Sequence, residues 1–150
     1  MLEELLALPR ETDWLEFKTN QAQPERLGQI ISALANSARL HGQEKAFLVW
    51  GVDDSTLQVR GTTFHPLSTK VGNELFEAWI SRLLDPRIHL LFHALEWEGQ
   101  PVVLLEIPAA SHTPVSFKTT RWLRVGSTLK PLHEFPEKER VLWSLLDALP

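Results

Sequence analysis

The chain has 150 residues, a formal net charge of −4 and no cysteine. That length fits one domain with a sizeable core, and the ordinary apolar fraction without low-complexity tracts excludes a disordered polypeptide. The missing thiols exclude disulfides, zinc–thiolate sites and cysteine catalysis.

Leu2, Leu5 and Leu6 predict a short opening helix ended by Pro9. Residues 1–8 are acidic and lack the basic flank of a signal peptide, and no apolar run is long enough to span a membrane; a cytoplasmic location without membrane partners is expected. A strand at about residues 14–18 follows, sending Trp14, Glu16 and Lys18 to one face and Leu15 and Phe17 to the other. Pro24, with Glu25 behind it, opens a helix whose apolar positions Leu27, Ile30, Ile31, Leu34, Ala35 and Ala38 recur at helical spacing; Gly42 is its natural stop. Asn36 lies close to that apolar stripe, either as a satisfied polar residue at its edge or as a group aimed at a site. Residues 46–52 read as a strand buried on both faces, Asp53 to Thr56 as a turn, and residues 57–61 as its hairpin partner.

Ser68 or Thr69 is placed to cap a helix carrying Val71, Leu75, Trp79 and Leu83 on one face, stopped at Asp85-Pro86. Two strands, residues 89–97 and 102–107, join through Glu98-Gly99-Gln100. A second hairpin runs over residues 115–118 and 121–125, turning at Thr119-Thr120. Pro136 then opens a last helix with Val141, Leu142, Leu145 and Leu146 as its apolar residues. This order predicts an α+β domain, a mixed sheet with helices packed on it.

Three carboxylates stand out. Glu11 and Glu16 flank the first strand and converge only if the chain bends ahead of it, which residues 9–13 allow; Asp54 emerges at the carboxyl end of the buried strand, where open sheets tend to place ligands. They could form a metal site or decorate a rim. Between Glu106 and Glu134 no acid occurs, yet Lys118, Arg121, Arg124 and Lys130 do, so a locally basic face on an acidic protein is expected. His89 and His93 sit in a strand pattern without metal-ligand spacing, and Ser111-His112 has no third partner for a hydrolase triad. No G-x-x-x-x-G-K-[ST] phosphate loop is present, so ATP use has no support within the chain.

Four motifs occur in a family's order: Glu11-x4-Glu16-Phe17-Lys18, Ile31-Ser32-Ala33-Leu34-Ala35-Asn36, Gly51-Val52-Asp53-Asp54 and Leu123-Arg124-Val125-Gly126-Ser127. Together they resemble the Schlafen-type AlbA-like domain, also called a divergent AAA domain, over about residues 9–132; residues 133–150 form a terminal helix leading to further domains. The resemblance implies the front part of a transcriptional regulator or RecG-related ATP-dependent DNA helicase, binding DNA or RNA, as a homodimer. In such a nucleic-acid-binding domain the basic residues Lys18, Lys118, Arg121, Arg124 and Lys130 are the expected phosphate contacts. By motif the resemblance also carries over a three-carboxylate endoribonuclease site, Glu11, Glu16 and Asp54, whose hard oxygen ligands suit Mg²⁺ or Mn²⁺. A dimerisation or protein-interaction module is the remaining alternative. Two departures are visible: where many members turn through a Gly-Gly pair after the asparagine, residues 37–45 here are longer and hold one glycine, and the animal Schlafen nucleases join two related lobes where this chain holds one.

Overall fold

A computed structural model gives the fold for residues 2–6 and 12–150. The first half runs α1 (Leu2–Leu6), β1 (Leu15–Lys18), α2 (Pro24–Leu40), β2 (Lys45–Trp50), β3 (Lys70–Val71), β4 (Glu74–Leu75) and α3 (Phe76–Leu83). Then come β5 (Leu84–Asp85), β6 (Leu91–Trp97), β7 (Gln100–Pro108), β8 (Ser116–Phe117), β9 (Thr120–Val125), β10 (Thr128–Pro131), a 3₁₀ turn (Leu132–Glu134) and α4 (Pro136–Asp147). The strands form two four-stranded sheets and one small hairpin. The main sheet has the order β1-β2-β7-β6, with β1 parallel to β2 and the other pairs antiparallel. The second, β10-β9-β8-β5, is antiparallel throughout. The domain is α+β, as the element order predicts, with its strands divided between two sheets.

The alternation of β1 and β2 builds the core. Ala46, Leu48 and Trp50 belong to the larger apolar cluster with α2, while Val49 joins Leu15, Phe17, Val102, Leu104 and Leu5 in a second cluster on the other face. Strand β2 is therefore buried on both sides, as its unbroken apolar run requires. Glu16 pairs with Leu48 and Lys18 with Trp50, so both charged residues share the α2 side of the sheet.

Helix α2 lies between the sheets and touches β2, β7, β8, β9 and α4. Its apolar stripe is fully covered, and the cover extends to three polar residues, Ser32, Asn36 and Ser37, each with no exposed surface. Burying them costs free energy unless every group is paired. Here each is. Asn36 donates through Nδ2 to Val115 O (2.9 Å) and Trp122 O (2.8 Å) and accepts from Val115 N (2.7 Å). Ser32 donates to Val115 O (2.7 Å) and accepts from Trp122 N (3.1 Å); Ser37 accepts from Arg124 N (3.1 Å). Three side chains of one helix thus satisfy the edge of β9 and the chain before β8, where a further strand would otherwise be needed. Of the two readings of Asn36, the structure gives the satisfied one. On the same helix a Cβ at Gly28 would lie 2.3 Å from the Phe117 ring, so only glycine lets that ring pack against the backbone.

Four sequence expectations shift. The helix expected from residue 68 starts at Phe76, because Gly72, at φ +62°, turns the chain and pairs Lys70–Val71 with Glu74–Leu75. Ser68 and Thr69 donate to His65 O instead of capping that helix. Residues 57–61 contribute one bridge, Val52 to Val59, rather than a strand. The second hairpin turns at Lys118-Thr119, not Thr119-Thr120, and both residues have positive φ (48° and 71°) as a two-residue hairpin loop demands. The longer stretch after Asn36 is absorbed by the helix, which continues to Leu40 before His41 and Gly42 (φ +69°) turn it.

Replacing Asn36 by Ala takes the side-chain partner from Val115 N and Trp122 O, while Val115 O keeps only Ser32. We expect a loss of roughly 3 kcal/mol or more, measured by urea denaturation, whereas Ser127→Ala on the exposed β9–β10 turn should stay within about 0.5 kcal/mol. A loss below about 1 kcal/mol for Asn36→Ala would show that α2 is held by apolar contact alone.

Candidate nucleic-acid interface

The three carboxylates meet different fates. Glu11 lies outside the described residues. Glu16 is buried, and each of its oxygens faces a cation: Oε2 is 3.3 Å from Lys18 Nζ and Oε1 is 3.3 Å from Arg124 Nη1. Asp54 is exposed in the turn after β2, where Ser55 Oγ approaches its Oδ1 at 3.5 Å. Asp53 shapes that turn: its Oδ1 accepts from the backbone N–H groups of Thr56 and Ser55, which hold its carboxyl below the ordinary range. Among the described residues no three of His, Cys, Asp and Glu gather to hold a metal ion. A Mg²⁺ or Mn²⁺ at Glu16 would also have to displace two cations from it. Glu16 as folded does not fit such an ion.

The cations expected at phosphates also separate. Arg124 is a correction. Only 7% of it is exposed, its Nη1 donates to Leu15 O at 2.6 Å, and the same nitrogen pairs with Glu16. Its Nε has no partner among the described residues, nor does the buried Trp122 Nε1. Arg124 therefore ties β9 to β1 and offers no surface contact. Lys18, half-buried, is spent on the same Glu16. Lys130 is exposed on β10, an edge strand.

Lys118 and Arg121 come together. They line an open groove of about 600 Å³ with Arg82, His133, Ser116, Thr119 and Thr120, and with the acids Asp85 and Glu139 on its walls. The groove exists because β5 pairs with β8, placing Leu84 against Phe117 and so bringing the end of α3 to the β8–β9 loop. Arg82 is not among the residues selected from sequence, and His133 is marked there only by lying in the same acid-free stretch as Lys118 and Arg121. Arg82 and His133 are 51 positions apart in the chain, and no local pattern joins them. Lys118 Nζ lies 5.5 Å from the Trp79 ring centroid and 5.9 Å from that of Phe117; the Arg121 guanidinium is 5.3 Å from the Trp143 ring.

Residues 11–133 match the family model described as Schlafen, AlbA_2. The chain belongs to that family. No curated protein matches it. Among solved structures, the DIP2311 protein from Corynebacterium diphtheriae is similar at 19% identity and a TM-score of 0.57, over 93% of this chain. This chain spans only 27% of that protein's length. The N-terminal domain of an ATP-dependent DNA helicase RecG-related protein from Nitrosomonas europaea is similar at 20% identity and a TM-score of 0.52, over 85% of this chain and 87% of that one. At these identities both show the fold.

In this Schlafen AlbA_2 domain the ordered motifs hold the fold together. Ser32 and Asn36 of the second motif grip β9, Asp53 of the third shapes its turn, and Arg124 of the fourth reaches Leu15 and Glu16 of the first. Glu106, unmarked in the sequence because it sits inside an apolar run, is a further buried carboxylate of the AlbA_2 sheet. It accepts from Lys45 Nζ at 2.9 Å and lies 2.5 Å from His93 Nε2. The Lys45 bond, then that from His93, holds its carboxyl below the ordinary value of 4.5.

Two predictions follow from these buried charges. Arg124→Ala should cost about 2–4 kcal/mol, since it strips Glu16 and Leu15 O of a partner. Adding Glu16→Gln to it should cost less than the sum of the two single changes, because both act on one pair; strict additivity would mean the pair does not couple. For Glu106 the folded value is depressed, so its stabilisation is present above the unfolded value and lost as pH falls through the folded one. Urea titrations should show Glu106→Gln least stable relative to the parent at pH 7, with the gap closing in acid. A gap that is constant with pH would remove Glu106 from the acid response.

Proposed function

We propose that the chain is a nucleic-acid-binding domain whose groove between the end of α3, the β8–β9 loop and the start of α4 takes the phosphate backbone. The observation that carries this reading is the convergence of Lys118, Arg121, Arg82 and His133 on one open groove of a protein that is acidic overall. A net negative chain gains nothing from scattered lysines at physiological salt. Cations gathered in one concavity can focus potential on a polyanion once it displaces their carboxylate partners Glu25, Glu139 and Glu74. The hydroxyl of Thr120 in the same lining offers a neutral donor to phosphate oxygens. Family membership agrees with a nucleic-acid role, and the structural neighbour named as RecG-related is an N-terminal domain. In a longer protein this domain would serve a helicase-related or regulatory polypeptide by holding it to DNA or RNA. Lys130, exposed on the β10 edge, is available to extend the contact; Lys18 and Arg124 are not.

Fluorescence anisotropy with labelled DNA and RNA oligonucleotides, titrated at several salt concentrations, tests the reading. Affinity should fall steeply as salt rises. Lys118→Ala and Arg121→Ala should each weaken binding about 3- to 10-fold across sequences and lower the salt slope by roughly one, as phosphate contacts do. Binding that ignores salt, or ignores both substitutions, would place the interface elsewhere.

A further inference from the structure

Each of the two central groove cations is held in the same way, with an aromatic ring beneath it and a carboxylate beside it. Lys118 lies over Trp79 and Phe117 and pairs with Glu25 from the first turn of α2. Arg121 lies over Trp143 and stands 3.8 Å from Glu139, the latter from α4 and itself part of the groove wall. Arg82 differs, for it meets Glu74 through two hydrogen bonds, Nη2 to Oε1 at 2.9 Å and Nε to Oε2 at 3.3 Å, and that bond holds the Glu74 carboxyl below its ordinary range.

From this arrangement we propose that Glu25 and Glu139 are displaceable stand-ins for phosphate, and that the groove selects a ligand carrying at least two linked phosphates over a single one. The inference rests on the nucleic-acid reading of the groove and adds how that groove is regulated. Both ion pairs are solvent-exposed, with side-chain exposures of 44% and 50% for Lys118 and Glu25 and 38% and 29% for Arg121 and Glu139. Exposed pairs of this kind are worth about 0–1 kcal/mol each, weak enough for a phosphate to replace the carboxylate. The aromatic contacts do not involve the acids, so the cation stays in place when its carboxylate leaves. A single phosphate that displaces one acid still meets the repulsion of the other. A linked polyanion replaces both acids in one binding event, the second as an intramolecular step. The acids thus act as a threshold against mononucleotides and free phosphate.

The test compares the parent with Glu25→Gln and Glu139→Gln. It uses anisotropy of a labelled single-stranded oligonucleotide and competition by a mononucleotide and by inorganic phosphate. Each substitution should tighten oligonucleotide binding about 2- to 5-fold, the range one exposed ion pair allows. The pair together should also make the mononucleotide and phosphate better competitors relative to the parent. Thermal melting of each variant, unchanged within a few degrees, shows that the gain is not refolding. Oligonucleotide affinity unchanged or weakened in both variants overturns the proposal. If Lys118→Ala and Arg121→Ala weaken binding in that same experiment, the groove reading survives and only the stand-in role of the acids falls. If neither parent nor variants bind any oligonucleotide, both fall together.

Discussion

The structure depends on a helix doing the work of a strand. Strand β9 has β10 along one edge and only the two-residue β8 along part of the other. The remaining backbone groups face α2, which has no free backbone donors or acceptors in its middle. Ser32, Asn36 and Ser37 supply them from side chains, and Asn36 alone makes three bonds. A carboxamide suits this place because it presents donors and an acceptor on one rigid plane. A leucine would fill the volume but strand the carbonyls and N–H groups, whose desolvation would go uncompensated. The second sheet, and every groove residue it carries, is positioned through this contact.

The same sheet-to-sheet joint explains where the charges went. Once α2 holds β9 against the main sheet, Arg124 points inward and meets β1. A guanidinium in that position must be paired, and Glu16 is the residue whose strand alternation brings it to the same side. Lys18, two residues on, supplies the second countercharge. A motif that reads as chemistry in one dimension, carboxylate and lysine beside an arginine-bearing strand, is in three dimensions a closed electrostatic unit. Glu106, with Lys45 and His93, forms another on the opposite face of the main sheet.

What was legible in the sequence was whatever depends on short-range periodicity. The apolar spacing of α2, the alternation of β1 and the unbroken run of β2 all encode burial directly, and each element stands where its pattern put it. The hairpin at Lys70–Leu75 was hidden because a helical spacing of Val71, Leu75 and Trp79 also fits a turn at Gly72 followed by a shorter helix. Strands β5 and β10, two and four residues long, carry too little pattern to register. The groove was half legible. Lys118, Arg121 and His133 belong to a stretch without acids, but Arg82 reaches it through a β5–β8 pairing between residues more than thirty positions apart. Arg124 misled because charge in a sequence reads as surface, and its burial follows only from a partner over a hundred residues away.

The division between inward and outward cations bears on how such a domain can be acidic overall and still meet a polyanion. Net charge sums over the whole chain, whereas a phosphate responds to what lies within about one Debye length, roughly 8–10 Å at ordinary salt. Two of the five cations read from the sequence, Lys18 and Arg124, are cancelled inside the fold and contribute little at that range. The two that line the groove also face carboxylates, Glu25 and Glu139, but in exposed pairs that a phosphate can displace while the aromatic rings keep the cations in place. An aromatic face fixes a cation without neutralising it. That is the physical reason to look for the binding surface around Trp79, Phe117 and Trp143 rather than around the carboxylates that first drew attention.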